Sequence, residues 1–153
     1  MREIREKLSE LATVYQEQLS LYRQIQKVGS GEQELIQDGQ LDTLLGVLKR
    51  KEELLTKAGT YEERVKEVQG QLARHFDLES FSLPKLKEVA PPYYQEELQT
   101  LELAITDLLP ILETLEEQER RNEDTLNRYL EMVQGPTRKT PQIRLAGRAY
   151  GKK

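Results

Sequence analysis

A chain of 153 residues that is 37% hydrophobic and 33% charged, with no Trp and only two Phe, suits one exposed helical domain plus a small or extended appendage, and argues against an enzyme with a deep core. Its formal charge of -4 conceals two signs: six basic residues (Arg138, Lys139, Arg144, Arg148, Lys152, Lys153) and no acidic one follow Gln134, leaving 17 basic against 27 acidic residues, a net of -10, for positions 1 to 134. The lack of Cys excludes disulfides and thiolate chemistry, and neither a signal-peptide core nor an apolar run of membrane-spanning length occurs, so a cytoplasmic protein without membrane insertion is expected.

The first element is an amphipathic helix over residues 3 to 37, with Ile4, Leu8, Leu11, Tyr15, Leu19, Tyr22, Ile25, Val28 and Leu35 spaced by threes and fours. Gly29 and Gly31 interrupt it. Each costs about 1 kcal/mol relative to Ala in a helix interior, so a bend or brief break belongs at "GSGEQ". Asp38 and Gly39 make a stop, with Gly39 suited to the left-handed position after a helix.

A second helix follows from Leu41 through Leu44, Leu48, Leu55, Ala58, Tyr61, Val65, Val68 and Leu72 to Phe76, and the short connection makes it antiparallel to the first. The stretch "DLESFSLPKLKEVAPP" then holds a small helical turn with Ser82 as N-cap, Pro84 in its first turn, and Pro91 and Pro92 as its end.

The third long helix runs from Tyr94 to Val133 with a strict four-three alternation, the seam of helices packed at a shallow angle. Pro110 removes a main-chain hydrogen bond at a cost of about 3 kcal/mol, which predicts a kink near Thr106 to Pro110. Glu119 and Asn122 are two successive polar seam residues, and packing is expected to be loosest there.

The predicted fold is therefore all-α: an antiparallel up-down-up bundle of three long helices with a short connecting helix, over residues 1–134, and an extended basic tail, 135–153. At 1.5 Å per residue the first two helices measure roughly 50 Å and the third roughly 60 Å. If all three start flush, residues beyond about 128 pass the turn at Gly39 and carry Tyr129, Leu130 and Val133 with them, an apolar helix end without a partner in the chain. After Gln134 the residues "GPTRKTPQIRLAGRAYGKK" have no helical period.

The residues give little sign of catalysis. His75 lacks the companions that a metal site or catalytic triad needs and is best explained by the dipole at a helix C-terminus. The carboxylates in "LEEQERRNED" read as a solvated face, and "GSGEQ" follows no strand and lacks the Lys and Ser/Thr of a phosphate loop. No enzyme, cofactor or metal is expected. Tyr15, Tyr22, Tyr61, Tyr94 and Tyr129 sit on the apolar pattern, which favours core over base stacking, and a body of -10 repels nucleic acid and anionic lipid beyond the basic tail's first contacts.

A protein partner explains more. An amphipathic helix laid against the seam from Leu126 to Val133 gains about 25 cal/mol per Å² of apolar surface buried, and the tail folds over it through Ile143, Leu145 and Tyr150. The predicted binding residues are Leu126, Tyr129, Leu130, Val133, Ile143, Leu145 and Tyr150. Two alternatives stay open: a structural coiled-coil protein that forms a homodimer through its C-terminal helix, and an RNA- or membrane-surface adaptor working through the tail.

The stretch "ELIQDGQLDTLLGVLKRKEELL", residues 34 to 55, resembles the FlgN family of flagellar type III export chaperones. The resemblance rests on Glu34, Leu35, Asp38, Gly39, Leu41, Leu44, Leu48, Lys51, Leu54 and Leu55, with the Tyr150–Gly151 pair as a second likeness. It implies a cytoplasmic, non-enzymatic chaperone that holds the C-terminal helical segments of hook-associated (hook-filament junction) proteins, prevents their premature assembly and delivers them to components of the export apparatus. The C-terminal helix and tail would bind the client. Pro110 and the polar seam pair map onto no feature of the family.

Overall fold

A computed structural model describes residues 2–134, all of whose regular structure is helical. Five α-helices follow in order: α1 Arg2–Gly29, α2 Glu32–Gln37, α3 Leu41–His75, α4 Leu83–Val89 and α5 Gln95–Gln134, with a short 3₁₀ turn at Pro92–Tyr94 before the last. The extended basic tail expected over 135–153 lies outside the described residues.

The punctuation residues act as their chemistry requires. The first apolar pattern breaks at the glycines, α1 ending at Gly29 and α2 starting at Glu32. Gly39 takes a φ of +69°, a conformation that a Cβ resists, and lets the chain leave α2 and enter α3 within three residues. Ser82 caps α4 by accepting a hydrogen bond from the Lys85 amide at 3.4 Å, with Pro84 in the first turn. At the far end of α3, Asp77 adopts a φ of 56° while the Leu78 amide donates to the Ala73 carbonyl at 2.8 Å, the double-bonded helix stop usually built on glycine.

Contacts divide the chain into two compact units, and each long helix gives a segment to both. The first gathers α1 up to Ser20 with Ala58–Pro110; the second gathers Leu21–Lys57 with α5 from Ile111. The helix α5 is continuous across Pro110, where a kink was expected, and the division between units falls at that proline.

In the first unit the interior is apolar almost throughout. Ile4, Leu8, Leu11 and Ala12 from α1, Val65, Val68 and Leu72 from α3, Leu86 from α4, and Leu98, Leu101 and Ala104 from α5 are all buried. Lys7 donates to Gln71 at 3.0 Å and Tyr61 bonds Glu17, so α1 and α3 run antiparallel here. Tyr94 is buried with Phe76 set edge-on to it at 6.0 Å. Of the phenols expected in the core, Tyr15 and Tyr94 are buried, while Tyr22, Tyr61 and Tyr129 are half-buried.

Candidate functional site

The second unit carries both the predicted binding residues and an unexpected polar centre. Its apolar end is a cluster of Ile36, Leu44, Leu126 and Leu130, with Leu35, Leu48 and Tyr129 packed against it. The α2 helix supplies Leu35 and Ile36, the start of α3 supplies Leu44 and Leu48, and the last turns of α5 supply the rest. The Tyr129 hydroxyl lies where a Cβ on Gly39 would come within 3.1 Å of it, so α5 reaches the α2–α3 turn at this residue.

This corrects the expected free apolar end. Leu126 and Leu130 are buried, at 7% and 6% exposure, and Tyr129 is half-buried, because α2 and the first turns of α3 fold over them. Val133 is 53% exposed and its neighbour Met132 80%, so the outward apolar surface starts one turn later than the helix lengths predict. Ile143, Leu145 and Tyr150 lie outside the described residues.

One helical turn up from this cluster the seam turns polar. Lys51 of α3, 2% exposed, donates its ammonium to the carboxylates of Glu32 in α2 and Glu119 in α5. Asn122 donates its amide to the Gly29 carbonyl at 3.2 Å and to the same Glu32 carboxylate at 3.0 Å. Gln118 donates to the Gln26 carbonyl at 3.1 Å, while its own side-chain oxygen is buried without a donor. The predicted loose packing at Glu119 and Asn122 is thereby corrected: both are buried, each 6% exposed, and satisfied by partners from other helices.

The α1–α2 break is part of this arrangement. A Cβ on Gly29 would sit 2.9 Å from a Glu32 carboxylate oxygen and 3.0 Å from the Gln118 side-chain oxygen, so the glycine leaves room for the polar groups to close up. Two carboxylates share one ammonium, an excess of one negative charge in a dry place. Burial, chiefly, pushes the Glu119 carboxyl above the ordinary value of 4.5; Lys51 opposes the shift and the charge of Glu32 adds to it.

Glu119 and Asn122 stand out in the sequence as anomalous, whereas Glu32 and the role of Lys51 do not. The available signal was the pair of polar seam residues itself, which demands a buried counter-charge from a facing helix. Among the described residues no group of three or more His, Asp or Glu is placed to hold a metal ion, and no helix is long and apolar enough to cross a membrane.

These features define a class: an all-helical protein whose last helix is clasped near its end and then presents exposed apolar side chains. The chain belongs to the FlgN family, whose model, described as FlgN protein, matches residues 1–153, the full length, and which is a family of flagellar export chaperones. Among curated proteins and among solved structures, nothing matches.

Proposed function

We propose that this chain is a cytoplasmic export chaperone that binds the C-terminal helical segments of hook-associated proteins, keeps them from assembling early and passes them to the type III export apparatus. It would do so on an up-down-up frame of three long helices, with no catalytic step and no cofactor. The reading is carried by the full-length family match. It is supported by the position of Met132 and Val133, exposed at the end of α5 where the basic residues after Gln134 begin.

In this reading Val133, Ile143, Leu145 and Tyr150 make the first apolar contacts, Leu126, Tyr129 and Leu130 form the seat beneath them, and the tail's six cations steer the approach. The test is calorimetric titration of the C-terminal segment of a hook-filament junction protein into the full chain and into a chain ending at Gln134. Binding by the first and loss in the second support the proposal; equal binding, or none to either, refutes it.

Self-association is the competing reading, favoured by Leu103 and Leu109, both exposed on α5. Light scattering decides it. A concentration-dependent dimer that Leu103→Glu abolishes would establish the structural role.

A further inference from the structure

The segment that covers Leu126 and Leu130 is poorly fastened for an element of a core. The α2 helix has six residues, too few to hold helical form alone; no side chain caps its start at Gly31, and it ends in the Asp38–Gly39 turn. What secures it is one face, comprising Glu32, Leu35 and Ile36, with Glu32 on Lys51 and Asn122, and Ile36 in the apolar cluster.

The polar centre is also arranged to survive the loss of that face. With Glu32 in place, Lys51 serves two carboxylates; with Glu32 gone, Lys51 and Glu119 remain as a balanced pair. The Asn122 amide and one share of the ammonium would then await an acceptor, and Leu44, Leu48, Leu126, Tyr129 and Leu130 would line an open apolar groove. Such a site takes back a helix of the same pattern.

We propose that α2 is a built-in stand-in for the client: it fills the groove between α3 and α5 in the free chain and is exchanged for an amphipathic helix carrying an acidic residue followed three and four positions later by apolar residues. This rests on the chaperone reading and adds the recognition rule, a carboxylate for Lys51 and Asn122 and an apolar pair for the Leu44–Leu126–Leu130 surface.

The probe is a fluorescent peptide copying residues 29 to 40, with a hydrocarbon staple replacing Glu34 and Asp38, whose side chains are exposed. Its anisotropy is followed with the full wild-type chain and with the full-length variant Ile36→Asp, which ejects α2 but leaves the groove walls intact. Because affinity for a groove falls by the fraction of time it is occupied, the variant should bind the peptide about tenfold more tightly or better. A peptide with Lys at the Glu32 position should lose that gain. Should Ile36→Asp fail to fold by far-UV helicity, Glu32→Gln, which weakens the clasp without burying a charge, replaces it and should gain roughly threefold.

Equal affinity for wild type and variant, or indifference to the Glu-to-Lys exchange, overturns the inference. Neither outcome bears on capture of the hook-protein segment by the tail, so a failure here is distinct from a failure of the chaperone reading.

Discussion

The two units of this chain solve the same packing problem with opposite chemistry. In the first, the seam closes on Leu8, Leu11, Val68, Leu72 and Leu101, side chains that need nothing from one another except proximity. In the second, the seam changes midway to Lys51, Glu32, Glu119 and Asn122, which need specific partners at specific distances. An apolar core gains stability in proportion to the area removed from water and tolerates small shifts. A buried ionic centre contributes little net stability but penalises any arrangement in which a partner is missing. The first unit is thus suited to hold the chain together, and the second to demand a matching carboxylate and apolar pair over the end of α5, which α2 supplies in the free chain.

The largest expected effect breaks the polar half of this contrast. Lys51→Met leaves two buried carboxylates facing each other and should cost about 3–5 kcal/mol by urea denaturation. Hydrogen exchange should show the loss in residues 32 to 37 and 111 to 130, with little change in the first unit. Leu72→Ala, in the apolar half, should cost about 3 kcal/mol through its cavity, with the altered exchange confined to the first unit. Similar exchange patterns in the two variants would show that the units do not differ as described.

A smaller effect tests the turn. Gly39→Ala forces a Cβ into a left-handed conformation and against the Tyr129 hydroxyl, and a loss of about 1–2 kcal/mol is expected by thermal denaturation. Gly31→Ala, at a position where a Cβ would meet nothing within 4 Å, should be close to neutral and serves as the control.

The smallest effect is the most diagnostic of the excess charge. With its carboxyl raised in the folded chain, Glu119 binds a proton more readily folded than unfolded. Its favourable contribution is therefore fully present below the ordinary value of 4.5 and is lost as pH rises through the raised folded value. Wild-type stability should accordingly gain from this group as pH falls from 7.5 toward 4.5. Glu119→Gln should lose that component of the pH profile while changing stability at pH 7.5 by less than about 1 kcal/mol, since Lys51 keeps Glu32. An unchanged pH profile in the variant would contradict the account.

Much of the fold was legible in the residues. Helix positions followed from apolar spacing, and Gly39, Ser82 and the Gly29–Gly31 break each behave as local backbone chemistry dictates. The polar centre was half legible: Glu119 and Asn122 stand out on a leucine seam, but Lys51, the partner of Glu119, lies in "KRK", where Lys49 and Arg50 look the same and are exposed. Which of the three is buried depends on helix rotation in the fold. Helix lengths brought α5 level with Gly39 near residue 128, but Leu35 was expected in the last turn of the first helix, beyond a bend at "GSGEQ", and not in a separate helix. That Leu35 and Ile36 fold back over Leu126 and Leu130 was therefore not legible.

The most direct measurement is hydrogen exchange on the full chain with and without a saturating C-terminal segment of a hook-filament junction protein. The account predicts that amides of residues 32 to 37 lose protection as the segment binds, while those around Leu126 to Val133 gain it. Retained protection throughout α2, together with no change along the last turns of α5, would contradict it.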